Sequence, residues 1–276
     1  EAELITELVR LLVFSVIAEN QYYRQGGAYF NSTHFQHIHQ RFQLGSKYVA
    51  PHTRRRDGSI LHGGYKHGEL KFSIPLQAWG RHDARPNTTL LHSLVALSNQ
   101  TTNDAAAIRQ AIDWFLLANS DAEYVSEQTE VILMGSAFEA LFQVQDIQEK
   151  KAALMNRLPK LFVGCLSKKT KKAGLDGSKG MRSWKILWMD EFYWLRSKIV
   201  HGGKINSARM IWSLKEHLTI AAIILQISVK LILAEKGCYS LSSDDEACAD
   251  GIDHFLANGK LPESKLLKTR RNVRLD

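Results

Sequence analysis

Arg196 and His201 stand at the end of the run Glu191-Phe192-Tyr193-Trp194-Leu195-Arg196-Ser197-Lys198-Ile199-Val200-His201-Gly202, separated by four residues. These two side chains together can handle a phosphate ester. Histidine titrates near neutral pH and can serve as base or acid, worth typically about 10²–10⁴-fold in rate. Arginine stays charged and grips phosphate oxygens through two parallel hydrogen bonds. The same two residues also have a purely structural use. Arg196 paired with Glu139 would hold two helices together, and a cationic His201 at a helix carboxyl end would gain about 0.3–1 kcal/mol from the helix dipole.

The element that must position the pair is a helix. Ser183 is suited to cap it, and the apolar stripe Trp188, Phe192, Leu195, Ile199 follows the helical period. Gly202-Gly203 permits the left-handed turn that ends helices. At about 100° per residue, Arg196 and His201 would lie some 140° apart on a regular helix. The helix must therefore end near His201 for the two to work together.

Around it the spacing predicts more helices. Residues 2–18 place Leu4, Leu8, Leu11, Leu12 and Ser15 on one face. Asn103 or Asp104 is positioned to start a helix to Ala118 with the stripe Ile108, Ile112, Phe115, Leu116. Ser120-Asp121-Ala122-Glu123 reads as a capping box for a long helix carrying Val131, Met134, Phe138 and Leu141. A further helix spans about 148–162, interrupted or ended near Pro159, and Asn206 or Ser207 opens a last long one reaching Ala234. Residues 20–102 differ: scattered glycines and runs such as Leu70–Ile74 suggest strands, loops and short helices. The expected fold is mainly α. A mixed α+β region occupies 1–102, a helical bundle 103–236, and a basic tail with a short helix 237–276.

Composition narrows the partners. Thirty-six Lys and Arg against 28 Asp and Glu give a net charge of +8, which favours a polyanion. Lys168, Lys169, Lys171, Lys172, Lys179 and Arg182 crowd the glycine-rich stretch 164–183, a mobile basic loop directly before the Arg196 helix. Arg54-Arg55-Arg56 and the tail Lys268, Arg270, Arg271, Arg274 are further basic segments, better read as solvated loops than as parts of a phosphate-binding funnel. Cys165, Cys238 and Cys248 have no metal-ligand spacing and fit a reducing, cytoplasmic setting. His34, His37 and His39 are better read as loop histidines than as metal ligands. Ile220–Leu233 is the most apolar stretch and is short for a membrane span. The chain begins without Met, as a fragment of a longer protein would.

The form Leu-Arg-Ser-x-Ile-Val-His-Gly resembles the Arg-x4–6-His signature of HEPN domains, most of all their Apea-like branch. A second likeness is the upstream helix pair Ala111-Ile112-Asp113-Trp114-Phe115 and Phe138-Glu139-Ala140-Leu141-Phe142. The resemblance covers about 103–236. It implies a metal-independent endoribonuclease needing no cofactor, in which the RNA 2′-hydroxyl attacks the adjacent phosphorus. It also implies a homodimer, because one chain offers one catalytic His and two facing Arg–His pairs would share a cleft. On the same footing Ser197 would orient the phosphate and Glu139 would fix Arg196. Such modules often serve in anti-phage defence or as toxins.

Trp184, Trp188, Trp194 and Trp212 read as core or interface residues, with Trp194 and Tyr193 meeting the partner chain. The competing reading is a catalytically silent HEPN-type module for dimerisation and nucleic-acid binding. A DNA-binding regulator has less support, since no convincing helix-turn-helix appears.

Overall fold

The computed structural model describes residues 2–18, 86–120, 125–172 and 180–258, and the backbone of four short strands between 48 and 66. The chain divides into two compact units, Thr33–Ala84 and the remainder. In the smaller unit β1 (Tyr48–Val49) pairs antiparallel with β4 (Tyr65–Lys66), and β2 (His52–Arg54) with β3 (Ile60–His62). Arg54 pairs with Ile60; Arg55 and Arg56 of the basic run lie outside the described residues, as do His34, His37, His39, Leu70–Ile74 and the tail arginines.

The larger unit is helical: α1 (Ala2–Ile17), α2 (Thr88–Ser98), α3 (Asn103–Ala118), α4 (Glu127–Leu141), α5 (Lys150–Leu161), α6 (Trp184–Val200), α7 (Leu214–Glu235) and α8 (Ser243–Asn258). The division therefore does not fall at residue 102. Helices α1 and α2 join the bundle because Phe14 meets Phe115 edge-on at 5.4 Å and the Asn87 amide donates to the Ser15 carbonyl. The described C-terminal segment joins it too. Lys230, buried in α7, pairs with Asp245 of α8 at 2.6 Å, and Tyr239 donates to the same carboxylate.

Capping residues mark where the helices start, and several differ from expectation. Thr102 caps α3 by accepting from the Ala105 amide. Ser126, not Ser120, caps α4; the Ser120 hydroxyl donates back to the Leu117 carbonyl and closes α3 instead. Asn206 caps only a single 3-10 turn, Ser207–Arg209, and α7 begins at Ser213 with a full capping box through Glu216. Pro159 sits inside α5 rather than ending it.

On α1 the buried face is Leu11, Val13, Phe14, Val16 and Ile17, while Leu4 and Leu12 are exposed. The predicted stripes of α3 and α4 hold except that Leu116 is half-buried. Helix α7 is longer than its apolar run, 22 residues with a mean hydropathy of 2.0, long and apolar enough to cross a membrane. Here 78% of that stretch is buried inside the protein, where it forms the central core helix.

The basic stretch before α6 is built rather than loose at its base. β5 (Lys169–Thr170) pairs antiparallel with β6 (Arg182–Ser183), and Asp253 of α8 accepts from the Lys168 amide at 2.8 Å and the Ser167 hydroxyl at 3.1 Å. Residues 173–179, including Lys179, lie outside the described residues.

Candidate active site

Helix α6 carries the motif and is fixed at both ends. At its start the Ser183 hydroxyl accepts from the Ile186 amide, and Asp253 accepts from the Lys185 amide at 2.9 Å. Two of the amides that a helix leaves unpaired at its N-terminus are thereby satisfied, one of them by an anion where the dipole favours negative charge. At its end His201 is the C-cap residue, and its amide donates to the Ser197 carbonyl at 3.1 Å. Gly202 follows with φ of +64°, the left-handed turn that a side chain would disfavour.

Between these ends the helix is buried nearly all round. Trp188 stacks on Phe192 at 5.1 Å, and both meet Phe138 of α4 edge-on at 5.9 Å. That packing brings α4 and α6 close enough for Glu139 to reach Arg196. Arg196 Nη2 lies 2.9 Å from Glu139 Oε1, with the Arg196 side chain 18% exposed and Glu139 only 6%. The Tyr193 hydroxyl donates to the same Oε1 at 2.8 Å, and Lys150 Nζ donates to Oε2 at 2.9 Å. Burial first, then the neighbouring Glu139 carboxylate, push the Tyr193 hydroxyl well above its usual range, so it stays a proton donor. The guanidinium carbon also sits 5.4 Å from the Tyr193 ring centroid.

Close approach needs a gap on α4, and Gly135 provides it. A Cβ at that position would stand 2.9 Å from Arg196 Cγ. Gly135 and Glu139 are one turn apart on the same face, so the glycine receives the arginine's stem while the glutamate receives its head.

His201 is exposed, and its ring has no hydrogen-bond partner among the described residues. No hydrogen bond or ring contact joins it to Arg196, whose head is turned to Glu139. Ser197 is half-buried between them in sequence, its carbonyl engaged by His201. The helix thus ends where the spacing argument requires.

The basic residues separate into two groups. Lys168, Lys169, Lys171 and Lys172 are exposed, with Lys172 Nζ 5.1 Å from the Trp184 ring centroid. Arg182 does not stand with them: its side chain is 12% exposed and pairs with buried Asp190 at 3.0 Å. The carboxylate-rich side of α6 needed cations, and Lys151 of α5 also pairs with Asp190.

Tyr193, expected at a partner interface, is buried against Glu139; Trp194 is half-exposed with Lys198 Nζ 5.7 Å from its ring centroid. Trp184, Trp188 and Trp212 are buried. Gly135, Lys150 and Tyr193 went unnoticed as parts of the site. Tyr193 had a signal, lying three residues before Arg196 on one helix face; Lys150, on a different helix, had none. No family model, curated protein or solved structure matches this chain.

Proposed function

We propose that this chain is a metal-independent endoribonuclease acting as a homodimer, with Arg196 holding the phosphate and His201 moving the proton. The observation that carries the reading is the contrast within one helix end. Arg196 is oriented by Glu139 and Tyr193, whereas His201, one turn on, is exposed with its ring unengaged by the described residues. A positioned cation and an unengaged acid–base group at one helix end are groups that in-line attack by a 2′-hydroxyl can use.

The net charge of +8 and the exposed Lys168, Lys169, Lys171 and Lys172 favour an RNA backbone. The half-exposed Trp194 and, about 120° round the helix, the exposed Val200 leave apolar surface on α6 that a second copy can cover. A two-fold axis beside it would bring a second His201 to the phosphate. As expectations of the same reading, the enzyme works in the cytoplasm in anti-phage defence or as a toxin. RNA incubated with the purified protein in excess EDTA should yield 2′,3′-cyclic phosphate and 5′-hydroxyl ends. Strict dependence on added Mg²⁺ or Mn²⁺, or 5′-phosphate ends, would overturn the mechanism.

One observation favours the silent-module reading. The Arg196–Glu139 pair braces α4 against α6 whether or not any RNA is present. That reading predicts binding without cleavage, so the same incubation separates the two. Either way the lysines contribute affinity. Replacing Lys168, Lys169, Lys171 and Lys172 with Gln should weaken RNA binding and flatten its salt dependence, the log–log slope falling by about 0.7–0.9 for each phosphate no longer neutralised. An unchanged slope would mean the lysines are merely solvated.

A further inference from the structure

Glu139 is shared by two cations, and only one of them belongs to the motif helix. Arg196 approaches Oε1 through Nη2 alone, while Lys150 Nζ holds Oε2. With one oxygen already occupied by an ammonium, the carboxylate is not gripped by both prongs of the guanidinium. Arg196 Nε is buried without a hydrogen-bond partner, and no further ion pair of Arg196 exists among the described residues. Two positive charges on one carboxylate leave one uncompensated.

We infer that Lys150 is a positioning residue for anion binding: by neutralising Glu139 it leaves the charge of Arg196 and the N–H groups at its Nη end that Glu139 does not take for an RNA phosphodiester. The inference rests on the proposed function for the identity of that anion, and it deepens that reading. Without Lys150, Glu139 would be balanced by Arg196 alone, and the pair would attract a phosphate weakly. The residue is well placed to act this way without touching substrate. It is the first residue of α5, its side chain is 29% exposed, and Tyr193 supplies a neutral third contact that keeps the carboxylate oriented. The guanidinium is meanwhile pinned from behind by Gly135, where its stem leaves no room for a Cβ.

The role has a signature that helix bracing does not. Lys150→Gln removes a cation, so it should weaken binding; Glu139→Gln removes the anion, so it should tighten binding. A bracing role predicts that both substitutions act in the same direction. The probe is a single-stranded RNA bearing 2′-O-methyl groups, which lacks the nucleophile and therefore reports binding with cleavage excluded. Lys150→Gln should raise its Kd roughly tenfold, the scale of one charge acting over a few ångströms at a partly exposed site. Lys150→Arg should restore the Kd, and Glu139→Gln should lower it below that of the unaltered protein. Cleavage of unmodified RNA, assayed in parallel, should fall in both Gln variants, because Glu139 also orients Arg196. Melting curves exclude variants that fail to fold, and Lys150→Arg keeps the question open to a decision if Lys150→Gln does so. Unchanged Kd in Lys150→Gln, parallel shifts in the two Gln variants, or no binding by the unaltered protein would each overturn the inference. Opposite shifts without cleavage by the unaltered protein would uphold it while overturning the ribonuclease reading.

Discussion

Replacing His201 with Ala is expected to lower RNA cleavage by about 10²–10⁴-fold, the usual contribution of one acid–base group, while the protein melts within a few degrees of the original. The two halves of that expectation have separate grounds. His201 is exposed, and its ring has no hydrogen-bond partner among the described residues, so the change sacrifices little packing. The turn that ends α6 depends on the His201 amide and on Gly202 at φ of +64°, both of which survive the change. What disappears is at most the dipole interaction of a protonated imidazole, about 1 kcal/mol or less on an exposed surface. Arg196→Ala should also abolish cleavage but is less innocent, since it removes a neighbour from a nearly buried carboxylate. Lys150 and Tyr193 remain on Glu139, which limits the damage.

Mixing the two inactive variants under subunit exchange refines the experiment. Recovered cleavage would show that one chain's Arg196 works with the other's His201. Full activity of His201→Ala at unchanged stability would remove His201 from the mechanism.

What could be read from the residues, and what could not, follows the range of the interactions. The motif helix was legible because its start, stripe and stop are local: Ser183, Trp188-Phe192-Leu195 and Gly202 each act within a turn of their own position. The Glu139–Arg196 pair was legible only as a candidate, because an apolar stripe says which face of a helix is buried and not which helix it meets. The misplaced starts of α4 and α7 have a common cause. Ser120, Asn206 and Ser126 all offer capping side chains, and which one starts a long helix depends on where the chain can next bury an apolar face.

The buried charges of α6 were the larger omission. The sequence gives no sign that Asp190 and Glu191 are buried, yet both are, Asp190 beside Arg182 and Lys151, Glu191 beside His217 and the amides of Ile211 and Trp212. Each partner lies on another element, outside the reach of any periodicity. The same holds for Arg182, whose place among lysines in the sequence suggested an RNA contact until its carboxylate partner was in view. Helix α8 was hardest to value. It looked like part of a tail, and its work is to hold the first turn of the motif helix.

That last point leads to the largest expected effect on stability. Asp253→Ala should destabilise the helical unit by about 3–5 kcal/mol, the range for removing one partner from a buried ion pair. Asp253 and Lys185 are 2% and 3% exposed and lie 3.3 Å apart. With the carboxylate gone, the Lys185 ammonium keeps a long bond to the Leu166 carbonyl at 3.4 Å and the face of Phe162 at 5.3 Å. The amides of Lys168 and Lys185 lose their acceptor as well, so the hairpin base and the start of α6 loosen together. Against a typical domain stability of about 5–15 kcal/mol, such a deficit is a large share.

Two companions separate the charge from the hydrogen bonds. Asp253→Asn preserves the shape and one acceptor for the Lys185 amide. Its NH2 group, however, would face the Lys168 amide donor, so its deficit should be intermediate. Adding Lys185→Met to Asp253→Ala removes the stranded charge and should recover part of the stability, because a buried pair replaced by apolar side chains is often close to neutral. The remainder would belong to the donors left without an acceptor, the amides of Lys168 and Lys185 and the Ser167 hydroxyl, with the buried Lys185 amide worth about 1–3 kcal/mol and the part-buried two less. Urea denaturation of the single and double variants reads all three values. A fall of under about 1 kcal/mol for Asp253→Ala would mean that water reaches Lys185 freely and that α8 does not anchor the helix on which Arg196 and His201 sit.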